Sequence, residues 1–265
     1  MLEIFVLAIV QGITEFLPVS SSGHLAVGGA IFDTLERVVE EKLTVSIVLH
    51  VGTLLSILVF FRQRIIALLG EDRRVIGLIL VGSIPAGIIG VGLKRFLPGS
   101  EVFLASALLS GFMFLVTGSL LIWGNRHPTS TGICRHLSFK AALLIGGFQA
   151  LAILPGVSRS GATITAGLAM RLRRDEAATF SFLLAIPAMA GAGFLEALEL
   201  LEDTPETASL AALGVGLVVS FLVGLMALAW LIRWLREGHL HWFALWVFPL
   251  GVVVILWQLG SRLMS

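Results

Sequence analysis

Six apolar stretches, at 43–61, 75–93, 102–123, 177–195, 208–232 and 242–259, are long and apolar enough to cross a bilayer. About 20 helical residues at 1.5 Å each span roughly 30 Å of hydrocarbon. A chain with six such runs folds around a membrane. Composition agrees: 57% of residues are hydrophobic and 13% charged, and the mean hydropathy is +0.99. That leaves too little polar surface to cover a water-soluble globule. The first ten residues are apolar, but Glu3 stands where a secretory signal carries Lys or Arg, so no cleaved signal is expected. The lone Cys134 excludes an intramolecular disulfide. A net charge of +1 without a basic, aromatic-interleaved patch gives nucleic-acid binding no support.

Two further apolar stretches, 1–32 and 137–170, are broken in the middle by Pro, Gly and a Ser cluster. Pro removes a backbone donor, and Ser and Gly favour caps and turns, so neither runs as one helix. In contact with lipid such a break would strand polar backbone. Both are read as re-entrant helix-loop-helix elements inside the bundle. An offset of 138 aligns Gln11 with Gln149, Val19 with Val157, Ser20 with Ser158, Ser22 with Ser160 and Gly23 with Gly161, without a gap. Three spans separate the two units, so the second is inverted in the membrane relative to the first. The expected fold is all-α and polytopic: six transmembrane helices plus two re-entrant elements in an inverted-topology repeat. It forms one domain over 1–265, with repeat 1 about 1–123 (loop 17–24) and repeat 2 about 137–260 (loop 155–163). The tips 20–23 and 158–161 should face one another. Glycines such as Gly87, Gly90, Gly92, Gly191 and Gly193 are expected to serve close helix packing.

With both broken stretches returning to the side they came from, 12 of 18 basic residues fall on one face. They are Arg62, Arg64, Arg73, Arg74, Arg126, Arg135, Lys140, Arg171, Arg173, Arg174, Arg233 and Arg236. Five, Arg37, Lys42, Lys94, Arg95 and Arg262, fall on the other, with the acids Glu196, Glu199, Glu202, Asp203 and Glu206. The positive-inside rule makes the first face cytoplasmic and puts both termini outside. Two charges remain at membrane depth: Glu15 and Arg159, one in each broken stretch. An intramembrane charge is costly unless it meets a partner or a wet cavity, which marks it as functional.

Where the two loops meet, small residues opening a helix offer free N–H groups and a positive dipole end, suited to an anion. Ser20, Ser21, Ser22, Ser158, Ser160 and Thr163 add hydroxyls, and Arg159 supplies a planar fork that matches phosphate oxygens. Glu15 would repel a phosphate, which a divalent hard cation on Glu15, with the amide oxygen of Gln11 one turn earlier, would relieve. His24 lies within a few residues of Ser20, Ser21 and Ser22, a spacing that permits a hydroxyl-imidazole pair. Glu15 with Arg159 can also be read as a structural ion pair between the repeats. Trp123, Trp230, Trp234, Trp242 and Trp246 read as interface anchors.

Residues 11–24 (QGITEFLPVSSSGH) and 155–163 (PGVSRSGAT) resemble the two motifs of the undecaprenyl-diphosphatase family tied to bacitracin resistance. The resemblance implies a plasma-membrane hydrolase that removes the terminal phosphate of undecaprenyl diphosphate, recycling the lipid carrier for peptidoglycan synthesis. It implies that Glu15 is essential and acts through Mg2+ or Ca2+, with Gln11 in the place of an acid in some relatives. It puts Ser21 and His24 on the nucleophile and proton-transfer positions and Arg159 on the arginine that holds the diphosphate. Ser158, Ser160 and Thr163 match the rest of the second motif. The site is expected to open outward. A transporter or flippase of a phosphate-bearing polyprenyl lipid is the rival reading, and the sequence leaves open both the nucleophile and a homodimer.

Overall fold

A computed structural model describes residues 1–32, 35–96, 99, 103–128, 130–202 and 209–264, without side-chain detail at 31–43, 94, 199–202 and 262–264. The expectations on Asp203 and Glu206 lie outside the described residues, and those on Arg37, Lys42, Lys94, Glu199, Glu202 and Arg262 concern side chains that are not described. The elements are α1 (Leu2–Thr14), α2 (Ser21–Phe32), α3 (Leu35–Phe60), α4 (Arg62–Leu68), α5 (Arg73–Phe96), α6 (Ala107–Asn125), α7 (Phe139–Leu151), α8 (Arg159–Ala169), α9 (Arg174–Glu202), α10 (Leu210–Arg236) and α11 (Ala244–Met264). The protein is an all-α, polytopic membrane protein. Helices α5, α6, α9 and α10, and α11 with the turn before it, are each long and apolar enough to span; α3 from Thr44 and α4, bent by 73° at Phe61, pass the same test only when taken together as one broken span. The bend falls where Arg62, Gln63 and Arg64 end the apolar run. The expected run from 102 is interrupted at Ala105 and Ser106, and helix resumes at Ala107, where Ser106 caps it by accepting from the Leu109 N–H at 3.3 Å.

Helix α1 packs on α10 as α7 packs on α5, and α10 packs on α3 as α5 packs on α9. Helices α6 and α11 pack on each other, as do α3 and α9. Without a hydrophobic drive between helices in lipid, such contacts rest on close fit. A Cβ on Gly146 would lie 2.0 Å from the Gly82 carbonyl oxygen, so α5 and α7 touch backbone to backbone there. The glycines expected to do this do not: a Cβ added at Gly87, Gly90, Gly92, Gly191 or Gly193 would meet nothing within 4 Å. Their helix faces turn outward, which a count of glycines cannot tell.

The basic connections gather at one end. Arg64 and the Cys134 N–H (2.8 Å) both bond the Glu176 carboxylate, Arg173 N–H donates to Gly132 O at 2.8 Å, and an Arg236 nitrogen lies 4.0 Å from Asp175. Glu176 is 1% exposed, more buried than either charge singled out from the sequence. Neighbouring connections bury it at a helix start, which hydropathy along the chain does not reveal. Burial pushes the Cys134 thiol up to about 12, outweighing the nearby Arg64 charge.

Candidate active site

The two breaks form as short turns that each restart a helix on a serine cap. Helix α1 stops at Thr14, and the chain turns through buried Phe16, Leu17, Pro18 and Val19 to Ser20, which adopts φ +67°. A non-glycine residue is uncommon in that region. The Ser20 carbonyl accepts from His24, while Ser20 Oγ accepts from Gly23 N–H at 3.3 Å and from Gly156 N–H of the other loop at 3.1 Å. Phe16 anchors this turn edge-to-face on Phe182 of α9, centroids 5.7 Å apart. In the second loop Gly156 sits at φ +95°, and Ser158 Oγ caps α8 by accepting from Gly161 N–H at 3.1 Å. Thr117 of α6 ties this loop down: its hydroxyl donates to Gly156 O at 2.7 Å and accepts from Ser158 N–H at 3.0 Å.

The loops cross at backbone contact. A Cβ on Gly23 would fall 2.7 Å from Gly156 Cα, and one on Gly161 would fall 3.2 Å from Pro18 Cβ. The first loop's 20–23 tip therefore meets Gly156, two residues short of the 158–161 tip expected to face it. At this crossing Arg159 Nη2 donates to Glu15 Oε1 at 2.5 Å, and Gln11 Nε2 donates to Glu15 Oε2 at 3.1 Å. The two charged side chains are 17% and 10% exposed. Arg159 Nη1 is buried with no protein acceptor, so the guanidinium keeps donors free for an anion.

The predicted hydroxyls separate into two groups. Ser158 and Ser160 are buried with their oxygens 3.2 Å apart, and Thr163 bonds Arg159 O at 2.8 Å and Ser181 Oγ at 2.5 Å, deep in the protein. Ser21 is half-buried and Ser22 exposed, so these two are the ones open to a ligand. His24 Nδ1 lies 2.7 Å from Ser20 O, a pure acceptor, so this nitrogen carries the proton. The other, Nε2, then accepts from the Trp246 indole N–H at 3.1 Å. The His24 ring also stands edge-on to Phe114.

The family profile described as Bacitracin resistance protein BacA matches residues 4–253. This chain belongs to the BacA family. It is 52% identical to an undecaprenyl-diphosphatase of Rhodopirellula baltica over 261 residues, covering 98% of each chain. It is 38% identical to undecaprenyl-diphosphatase 3 of Bacillus cereus over 258 residues, 97% of each, and 40% identical to an undecaprenyl-diphosphatase of Desulfatibacillum aliphaticivorans, covering 96% of this chain and 97% of that one.

In this BacA-family chain no group of three or more His, Cys, Asp or Glu side chains is placed to hold a metal ion among the described residues. One carboxylate and one amide still suit a cation that keeps water and takes substrate phosphates as ligands, as Mg2+ commonly does. A half-turn of the Gln11 amide would present its oxygen instead of its nitrogen, so the donor set fits. Nothing in the sequence singles out Thr117, Phe114 or Trp246 for this site. The hydrogen-bond partners of Thr117 and Trp246 lie from 39 to 222 residues away along the chain, and all three look locally like ordinary residues of a membrane helix. Gln149, aligned with Gln11, is 4% exposed with neither amide atom partnered.

Proposed function

We propose that the chain hydrolyses undecaprenyl diphosphate to the monophosphate and inorganic phosphate, breaking the anhydride P–O bond with water, in keeping with the names its relatives carry. The convergence of Glu15, Gln11 and Arg159 at the loop crossing carries this reading. Arg159 and the loop N–H groups hold the diphosphate while its tail lies among apolar helices. Ser21, Ser22 or a water attacks the terminal phosphorus, His24 Nε2 takes the proton and the lipid monophosphate leaves; where a serine attacks, water then cleaves the phosphoserine to free inorganic phosphate. A magnesium or calcium ion held by Glu15 with the Gln11 amide oxygen would offset charge on the phosphates. Catalysis then rests on positioning and preorganised electrostatics. The transporter reading draws no support from relatives named as phosphatases.

The reciprocal packing of α1 on α10 and α7 on α5 supports an inverted repeat of 1–123 and 137–260 within one domain. With Arg64, Arg135, Arg173 and Arg236 at one end, that end faces the cytoplasm, and both termini and the site's mouth face outward. The test is phosphate release from farnesyl diphosphate by detergent-purified protein with magnesium, with chelator, and with Glu15→Ala. Metal-dependent release lost in the variant supports the reading. Tight lipid binding without release by the wild type refutes it.

A further inference from the structure

Both nitrogens of the proposed base are already engaged. Nδ1–H is committed to Ser20 O at 2.7 Å, and that carbonyl belongs to the residue forced to φ +67° at the loop crossing. The remaining lone pair, on Nε2, accepts the Trp246 indole N–H at 3.1 Å, with the two rings nearly parallel at an interplanar angle of 3°. A neutral imidazole has one acceptor nitrogen, and while the indole N–H occupies it, it cannot take a proton from a hydroxyl or water. Trp246 has open space beside it: it is 59% exposed and sits in the first turn of α11, after a turn whose Leu240 and Phe243 are buried. His24, by contrast, is fixed by its bond to Ser20 and by Phe114.

We infer that Trp246 is a positioning residue acting through His24: in the resting protein its indole N–H caps Nε2, and hydrolysis proceeds only when the reacting hydroxyl or water replaces it. This rests on the phosphatase reading and on His24 as its base. No covalent step is involved; one hydrogen bond to Nε2 is exchanged for another. The cap holds the ring in a single orientation and keeps the base masked until substrate orders the nucleophile. A tryptophan that would otherwise read as an interface anchor thereby sets the resting population of competent sites, and apparent affinity falls by that fraction.

The experiment uses full-length protein in detergent. Diethyl pyrocarbonate acylates an unmasked imidazole nitrogen, and peptide mass spectrometry follows the His24 peptide. Trp246→Phe keeps an aromatic ring and removes the donor. Acylation of His24 should speed up by roughly threefold to tenfold, the worth of one such hydrogen bond. The KM for farnesyl diphosphate should fall with kcat nearly unchanged, a split that general damage to the fold does not produce. Trp246→Leu should speed acylation as well. Equal acylation rates in wild type and both variants overturn the cap whatever the activity. Faster acylation in the variants, with His24→Asn retaining full turnover, leaves the cap standing and refutes His24 as the base.

Discussion

Replacing Gly23 by alanine is the sharpest test of the loop crossing. The added Cβ would lie 2.7 Å from Gly156 Cα, 2.8 Å from Gly156 N and 2.8 Å from Phe114 Cζ. Carbon atoms in ordinary contact sit about 3.5–4.0 Å apart, so the loops must part by roughly 1 Å. The bond from Gly156 N–H to Ser20 Oγ, already 3.1 Å, would not survive that movement. Neither loop can give way cheaply, because Thr117 pins the second and Phe16 anchors the first. Overpacking of this kind costs about 1–3 kcal/mol of stability. A shift of about 1 Å between groups on opposite loops can cost on the order of 100-fold in rate, because Glu15 and Arg159 must act on one substrate. The matched control is Gly28→Ala in the same helix, where a Cβ meets nothing within 4 Å. It should leave activity alone and favour the helix by about 0.5–1 kcal/mol. Phosphate release from farnesyl diphosphate and thermal unfolding read both quantities. Gly23→Ala retaining activity within about threefold of wild type would refute the reasoning that this backbone contact sets the site.

Arg159→Lys keeps the charge but loses the planar fork, and losing one or two charge-assisted hydrogen bonds, about 1.5–3 kcal/mol each, should cut kcat/KM at least tenfold; unchanged turnover refutes the clamp. Thr117→Val preserves shape while stripping the second loop of two hydrogen bonds, one of which leaves the buried Ser158 N–H unpaired. Each lost bond is worth about 1 kcal/mol, so the melting temperature and kcat should both fall, whereas Thr117→Ser should restore much of each. Cys134 ionises only near pH 12 when folded, against about 8.5 for an exposed thiol. The folded protein should therefore resist maleimide at pH 8 and react on denaturation. The same shift draws stability down as pH rises from about 8.5 toward 12, since only the unfolded thiol releases its proton there.

Much of the site is legible along the chain for a simple reason. A bilayer forbids unpaired backbone and stray charge, so Pro18, Pro155, the serine runs, Glu15 and Arg159 stand out against apolar surroundings. Caps are local too, and Ser20 and Ser158 precede their helices in the order a helix start requires. Hydroxyl accessibility is not legible. Ser21, Ser160 and Thr163 have the same chemistry in the sequence, yet Thr163 is turned inward onto Ser181 while Ser21 stays half-buried. Nor is the role of the aromatic rings, since Trp246 resembles the other four interface tryptophans until α11 brings it beside α2.

The sequence alone determined the membrane setting, five or six spans, the two broken elements and the chemical groups they carry, because these follow from local composition and period. Tertiary structure decided which groups meet. It placed Gly23 against Gly156 of the second loop, gave both nitrogens of His24 a partner, and buried Glu176 beneath connections distant in sequence. Most of these outcomes depend on contacts between segments far apart along the chain, where packing of whole helices, and not the preference of any one segment, fixes the distance.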